Sequence, residues 1–257
     1  MQTIDPEKLA ELLRRHQPAV ALTGAGISVE SGIPDFRSRG GLWERFDPME
    51  YATIQAFRRH PAKVWTMLRE MDALLVQARP NPAHLALAAL EAAGLLAGVI
   101  TQNVDNLHQA AGSRKVVEYH GNAHRFVCLA CGRLTPREGL DFASGPPSCD
   151  CGGLIKPDVV FFGEPIPPAA QKEALDLASS CALMLVIGTS AEVAPASYLP
   201  FTAKDHGALI VESNLETTNL SRRLTDYFLS GPAGRQWPRV VKKVLDEADA
   251  HGPADRA

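Results

Sequence analysis

A few residue types at particular spacings hold most of the chemistry in this 257-residue chain. Gly24 and Gly26 follow the apolar run AVALT directly, with Ser28 close behind. An apolar strand, a tight glycine turn and a helix start form the arrangement by which a Rossmann unit presents backbone N–H groups to a pyrophosphate. The third glycine of G-x-G-x-x-G is absent, and Val29 stands in its place. Further along, QNVD (102–105) follows the short apolar segment AGVIT, and His120 ends the segment KVVEYH just before Gly121. A histidine at a strand end can project into a crevice, and an ordinary pKa near 6.5 suits it to removing a proton at neutral pH. Asn103 and Asp105 also read as caps for NLHQAA, a role compatible with ligand contact. His84, His108 and His124 read as structural or surface residues.

Four of the five cysteines fall within 24 residues: Cys128, Cys131, Cys149 and Cys151. Clusters of this kind, in a chain whose N-terminus does not read as a secretory signal, favour metal over disulfides. The first pair has C-x2-C spacing and the second the tighter C-x-C. Four thiolates would close a tetrahedral Zn2+ site, structural rather than catalytic, giving a loop-rich segment folding energy that it cannot draw from a core. The alternatives are two disulfides or a loop without metal. Cys181 opens the apolar run CALMLVIG and reads as a core thiol.

The elements that must position these groups alternate. Expected helices cover 5–16 (Asp5 capping, Pro6 at the first position), 61–78, 82–93, 168–180, 196–206 and 234–249. Between them lie expected strands at 18–22, AGVIT, KVVEYH, 158–162, 182–187, 208–212 and DYFL. Residues 33–47 read as a loop and 250–257 as a frayed end. Helix 61–78 turns positions 64, 65, 68, 71, 74 and 75 to one face. Strands that are continuous apolar runs, alternating with helices, predict an α/β fold with a parallel sheet covered on both faces. Ligands of such sheets bind past the carboxyl ends of the strands, where TGAGIS, TQNVD, YHGN, IGTS and ESNLE gather. With 46% apolar residues and a net charge of −3, the chain has ample core and no basic field, so nucleic acid is not expected as a partner. No apolar run approaches membrane-spanning length, so a cytoplasmic protein is expected.

Taken together, GAGISVESGIPDFR (24–37), GLW (41–43), TQNVDNLH (101–108), YHGN (119–122), the four cysteines, KPDVVFFGE (156–164), GTS (188–190) and SNLE (213–216) resemble the sirtuin family of NAD-dependent protein deacylases. The tail SGPAG (230–234) also fits. The resemblance implies a discontinuous Rossmann-like NAD-binding domain at 1–40, 80–120 and 157–257. A smaller inserted domain would comprise a helical module, 41–79, and a zinc module, 121–156. NAD would be consumed, releasing nicotinamide and O-acyl-ADP-ribose as a lysine loses its acyl group. By this likeness Gly24, Ala25, Gly26 and Ser28 meet the pyrophosphate or adjacent ribose, while Phe36 and Arg37 cover the reacting ribose. Asn103 and Asp105 line the nicotinamide pocket, with Ile27 and Val104 as apolar walls and Gln102 on the ribose hydroxyls. His120 is the general base. Gly188, Thr189 and Ser190 cradle phosphate or ribose. Asn214, Leu215 and Glu216 take the adenosine, and Ala233 abuts adenine. Val159, Val160, Phe161, Phe162, Gly163 and Glu164, with Glu192 and Val193, receive the acyl-lysine peptide as an added strand. A monomer is expected. The alternative activity is NAD-dependent protein ADP-ribosyl transfer.

Relatives that remove succinyl or malonyl groups carry a Tyr and an Arg three apart after a Val-Trp. Here Val64-Trp65 is followed at those positions by Leu68 and Met71, while Arg69 falls about 200° around the helix from Met71. An apolar wall cannot neutralise a carboxylate. Acetyl and longer uncharged acyl groups are therefore expected, with weak desuccinylation.

Overall fold

The computed structural model describes residues 1–36, 41–142 and 145–250, with side chains up to 246. Its main sheet is parallel and seven-stranded, built from β1 (Gln2–Thr3), β2 (Ala19–Thr23), β3 (Gly98–Thr101), β4 (Val116–Glu118) and, after an antiparallel insert, three later strands. The insert holds β5 (Gly121–Cys128), β6 (Leu134–Pro136) and β7 (Ile155–Val159), and the later strands are β8 (Leu183–Ile187), β9 (Leu209–Asn214) and β10 (Tyr227–Ser230). Spatial order in the large sheet is β1-β10-β9-β8-β2-β3-β4. From β2 the chain first builds outward through β3 and β4, then returns to β8 on the other side. The strand order therefore reverses around β2, and a crevice opens past the carboxyl ends of β2, β3 and β8.

The strands β2, β3 and β8 are buried throughout, as a sheet with helices on both faces requires. One face packs on the helices Pro6–Arg15, Pro82–Ala92 and Ala233–Ala250 through Leu9, Leu13, Leu87, Leu90 and Trp237. The other meets Pro168–Ser180 and Leu199–Asp205 through Leu177, Leu199 and Ala203. Helix boundaries follow local chemistry. The Asp5 carboxylate accepts the Lys8 N–H at 2.8 Å, with Pro6 at the first turn. Asn81 and His84 form a reciprocal cap at the start of Pro82–Ala92.

A third hydrophobic cluster lies beyond the sheet. It joins Leu42, Phe57, Val64, Trp65 and Leu68 to Phe126, Cys128, Cys149, Ile155 and Phe161. Helical segments (Leu42–Arg45, Pro48–Tyr51, Ile54–Arg59, Pro61–Gln77) and the small sheet β6-β5-β7 thus share one core. Several sequence expectations shift here. The apolar run 158–162 is not a strand of the large sheet. The strand is β7, which pairs antiparallel with β5 and crosses the domain boundary expected at 156/157. Phe161 leaves it for the core, and Phe162 makes an isolated bridge to Thr53. The loop expected over 33–47 contains the helical turn Leu42–Arg45. On Pro61–Gln77, Met67 is buried and Leu74 exposed, so the inward stripe is rotated from the expected one. The end expected to fray lies largely outside the described residues. Among the described residues no helix is long and apolar enough to cross a membrane.

Candidate active site

Past the strand ends, two glycine loops interlock. The Gly26 N–H donates to the Gly188 carbonyl at 2.8 Å, and the Gly24 N–H to Ile187 at 3.1 Å. A Cβ on Gly26 would stand 2.8 Å from the Gly188 Cα. A Cβ on Gly188, at φ +60°, would stand 2.4 Å from the Ile27 nitrogen. Contact this close requires glycine on both sides. The result is a floor of backbone with no side chains in the way, the arrangement needed to approach a phosphate.

Beside it, Asn103 spends both amide protons inward, on the Gly24 carbonyl and on Ser28 Oγ, each at 3.1 Å. Its Oδ1 is the atom left for the cleft. Ser28 Oγ donates to Asp105 Oδ2 at 2.6 Å, and Asp105 Oδ1 accepts the Leu107 N–H at 2.9 Å. His84 enters from behind. The Asn81 N–H donates to its Nδ1, so its proton is on Nε2, 3.4 Å from Ser28 Oγ. His108 stands edge-on to His84, with ring centres 4.9 Å apart, and bonds Thr23 Oγ1 at 3.0 Å. Burial pushes the pKa of His84 down to about 4, partly offset by the Asp105 charge. It pushes that of His108 down to about 3, with His84 adding to the fall. Both rings are neutral at pH 7.

His120 follows β4 and lines the cleft. Its Nδ1 is 3.1 Å from the Gln102 carbonyl, which can only accept. The ring proton is therefore on Nδ1, and Nε2 carries the free lone pair. Burial lowers its pKa below the ordinary histidine value, with the Gln102 contact opposing. Gly121, at φ +80°, sets the exit: a Cβ there would lie 2.0 Å from the Asp158 carbonyl oxygen. Gln102 Nε2 donates to Thr189 Oγ1 at 3.0 Å, and Asn214 Nδ2 to the Thr189 carbonyl at 3.3 Å, joining the ends of β3, β8 and β9.

One cleft of about 820 Å³ runs from these strand ends into the small module. Of the residues singled out in the sequence, its wall includes Gly24, Ala25, Gly26, Phe36, Gln102, Asn103, Val104 and His120. It also takes in Gly188, Thr189, Ser190, Asn214, Leu215 and Glu216. Leu68, Met71, Val159 through Glu164, Glu192 and Val193 line it as well. Ile27, Ser28 and Asp105 are buried behind the wall, and Ala233 packs in the sheet's core. None of these four lines the cleft, and Arg37 lies outside the described residues. Phe36 leans on Trp43 (centres 5.1 Å apart), and Trp43 on Phe162 (6.4 Å). Sequence reading missed Trp43, Asp72, Leu75 and Arg222 in the wall. Helical spacing from Leu68 and Met71 was the available signal for Asp72 and Leu75.

The four cysteine sulfurs all lie within 4.8 Å of one another. Cys128–Cys151 and Cys131–Cys149 are 3.5 and 3.8 Å apart. Disulfide sulfurs are bonded at about 2.05 Å, whereas four sulfurs about 2.3 Å from a tetrahedral zinc are separated by distances of this order. The set fits a structural Zn2+ with no position left for substrate. Cys181 is buried away from it.

Residues 24–195 match the family model described as the Sir2 family. A Pyrobaculum aerophilum protein named NAD-dependent protein deacylase 2 is 49% identical over 92% of this chain and 94% of its own. The crystal structure of a Sir2 homolog–NAD complex superposes with a TM-score of 0.90 at 41% identity, covering 96% of each chain. A Sir2 variant with a deacetylated p53 peptide and 3′-O-acetyl-ADP-ribose gives 0.85 at 36% identity, covering 95% of this chain and 98% of its own.

Proposed function

The chain belongs to the Sir2 family and is an NAD-dependent protein deacylase acting on peptide substrates, and on that premise we propose which of its residues carry the reaction. The observation that carries the proposal is the convergence of the His120 lone pair, the outward Oδ1 of Asn103 and the interlocked glycine loops on one cleft. Bound NAD supplies a ribose carbon activated by the departure of its nicotinamide, which the acyl oxygen of the modified lysine then meets.

Asn103 Oδ1 accepts from the nicotinamide carboxamide. Ser28, Asp105 and His84 act through Asn103, fixing its amide so that the pocket is organised before the ligand arrives. Gly24, Gly26 and Gly188, whose N–H groups are spent on the Ile187, Gly188 and Ser213 carbonyls, keep the floor clear of side chains, while Ala25, Thr189 and Ser190 present backbone N–H groups and hydroxyls to the pyrophosphate and its ribose. Asn214, Leu215 and Glu216 hold the adenosine. Phe36, braced by Trp43, covers the reacting centre and keeps water from it. His120 accepts a ribose hydroxyl proton at Nε2, its Nδ1–H anchored on Gln102 so that the lone pair stays aimed.

The peptide adds as a strand between 159–164 and 192–193, a mode in which backbone pairing tolerates many sequences. The Lys156 ammonium, buried and bonded to the Val159 carbonyl (2.6 Å) and Glu164 (3.1 Å), stiffens the first of these segments. Leu68 and Met71 border the acyl chain with apolar surface and select uncharged groups. The test is a panel of acyl-lysine peptides with NAD, read by mass spectrometry. Nicotinamide and O-acyl-ADP-ribose should appear together, with kcat/KM for acetyl exceeding that for succinyl at least tenfold. Equal values would reject the acyl assignment. His120→Ala should lower kcat by roughly 10²–10⁴ with NAD still bound, and full activity would remove His120 from the mechanism.

A further inference from the structure

The helix Pro61–Gln77 presents Leu68, Met71, Asp72 and Leu75 to the cleft, the i, i+3, i+4, i+7 spacing of a single face. Three are apolar. Asp72 is the charged member, set one turn beyond Leu68 and next to Met71. Its carboxylate is fully engaged: Arg137 donates from Nε at 2.7 Å and from Nη2 at 2.5 Å, one bond to each oxygen. Arg137 reaches it from the turn Arg137–Gly139, which follows β6, with its guanidinium 5.4 Å from the centre of the Phe142 ring. Asp72 lines the cleft and Arg137 does not. The pair is partly shielded, with side-chain exposures of 18% for Asp72 and 34% for Arg137. The helix's own nearby cation is also committed elsewhere. Arg69 donates to the carbonyls of Trp65 and Phe142, both at 3.2 Å.

We propose that Asp72 is a further specificity-determining residue, beside Leu68 and Met71, by which this chain refuses acyl groups that end in a carboxylate. The proposal rests on the reading above in which the cleft beside Leu68 and Met71 takes the acyl chain. Two effects act together. The Asp72 charge repels a second carboxylate arriving in a low-dielectric channel. It also occupies the planar fork of Arg137, the group whose geometry matches a carboxylate with two bonds. Beside Leu68 and Met71 an ω-carboxyl acyl-lysine therefore meets the Asp72 charge and finds both nearby arginines, Arg69 and Arg137, already committed. With the Asp72 charge gone, the same cleft has an arginine at its edge and the means to read a dicarboxylic acyl chain. The preference against such substrates thus lies in an ion pair spanning two modules as well as in the apolar pair on the helix.

The experiment compares kcat/KM on acetyl-, butyryl-, succinyl- and glutaryl-lysine peptides for four forms of the full chain: wild type, Asp72→Asn, Asp72→Asn/Arg137→Gln and Leu68→Trp. Thermal unfolding of each confirms that it is folded. If Asp72→Asn proves unfolded, Asp72→Ser takes its place. The succinyl-to-butyryl or glutaryl-to-butyryl ratio should rise at least tenfold in Asp72→Asn and return toward the wild-type value in the double variant. A folded Asp72 variant with an unchanged ratio, or a gain that survives loss of Arg137, overturns the proposal. Leu68→Trp tests the reading beneath it. Butyryl turnover should fall several-fold relative to acetyl. If Leu68→Trp has that effect while Asp72→Asn gains nothing, only the Asp72 assignment falls. If Leu68→Trp changes nothing, the acyl chain lies elsewhere and both fall.

Discussion

At the scale of single residues, the tautomer of His120 gives the pH dependence a definite sign. In the role proposed for His120 the base form is the active one, and burial favours it by lowering the pKa below the ordinary value. Lowering the pH through that pKa protonates Nε2 and removes activity, while raising it costs nothing on this limb. The acid limb of kcat/KM should therefore have its midpoint below about 6.5. A midpoint above that value would show that another group controls the step. Ser28 invites a second measurement. Ser28→Ala strands the Asp105 oxygen and an Asn103 amide proton, each buried. Unpaired buried groups cost about 1–3 kcal/mol. A lower Tm and a kcat/KM for NAD reduced tenfold or more are expected, with Ser28→Thr recovering part of the second. The sequence displayed Ser28, Asn103 and Asp105 together but not their layering, in which two stand behind the third. His84 reads from the sequence as structural or surface, and it is buried; its contact with the site was not legible because its partner Ser28 is 56 positions away in the chain. Locally it showed only as the third residue of a capped helix.

At the scale of elements, Gly121 joins β4 to β5 through a conformation and a contact that no other residue satisfies. Gly121→Ala should displace His120 as well as weaken the strand pair. Activity should fall more steeply than Tm, and separate measurement of the two is the check. The cysteine site has a comparable reach, because Cys128 and Cys149 belong to the same hydrophobic cluster as Trp65 and Leu68. Withdrawing zinc with a chelator should loosen the helix Pro61–Gln77 along with the cysteine loops. The KM for acyl peptide is expected to rise before the near-UV signal of the large sheet is lost. Long apolar or well-capped elements were readable from sequence: Pro6–Arg15, Pro82–Ala92, Pro168–Ser180 and β8 fall close to where they were expected. The small sheet was not. β5 runs for eight residues but is largely polar, β6 and β7 each hold a proline, and β5 pairs with β7 across a register shift between Asn122 and Phe126. An apolar run such as VVFF does not by itself distinguish a strand from a loop whose side chains anchor a core.

At the scale of the whole molecule, the two buried histidines make stability depend on pH. Folded, they stay neutral down to about 4 and 3, whereas an unfolded chain takes up protons near 6.5. The unfolded state binds more protons as the pH falls below that value, so stability drops by about 1.4 kcal/mol per pH unit for each ring. Denaturant titrations at pH 7.5 and 5.5 should differ by about 2–3 kcal/mol from this source, and His84→Gln/His108→Gln should flatten the difference. The parallel sheet was legible as a class because its strands are apolar throughout, but its spatial order was not, since the pattern is silent on which side of β2 the return lands. That return has an evolutionary corollary. Residues meeting in the third hydrophobic cluster come from stretches on either side of β3 and β4. A contiguous exchange large enough to carry both halves of that cluster would also carry β3, β4 and, with them, Gln102, Asn103 and His120, so the small module cannot be traded for another without trading part of the crevice floor.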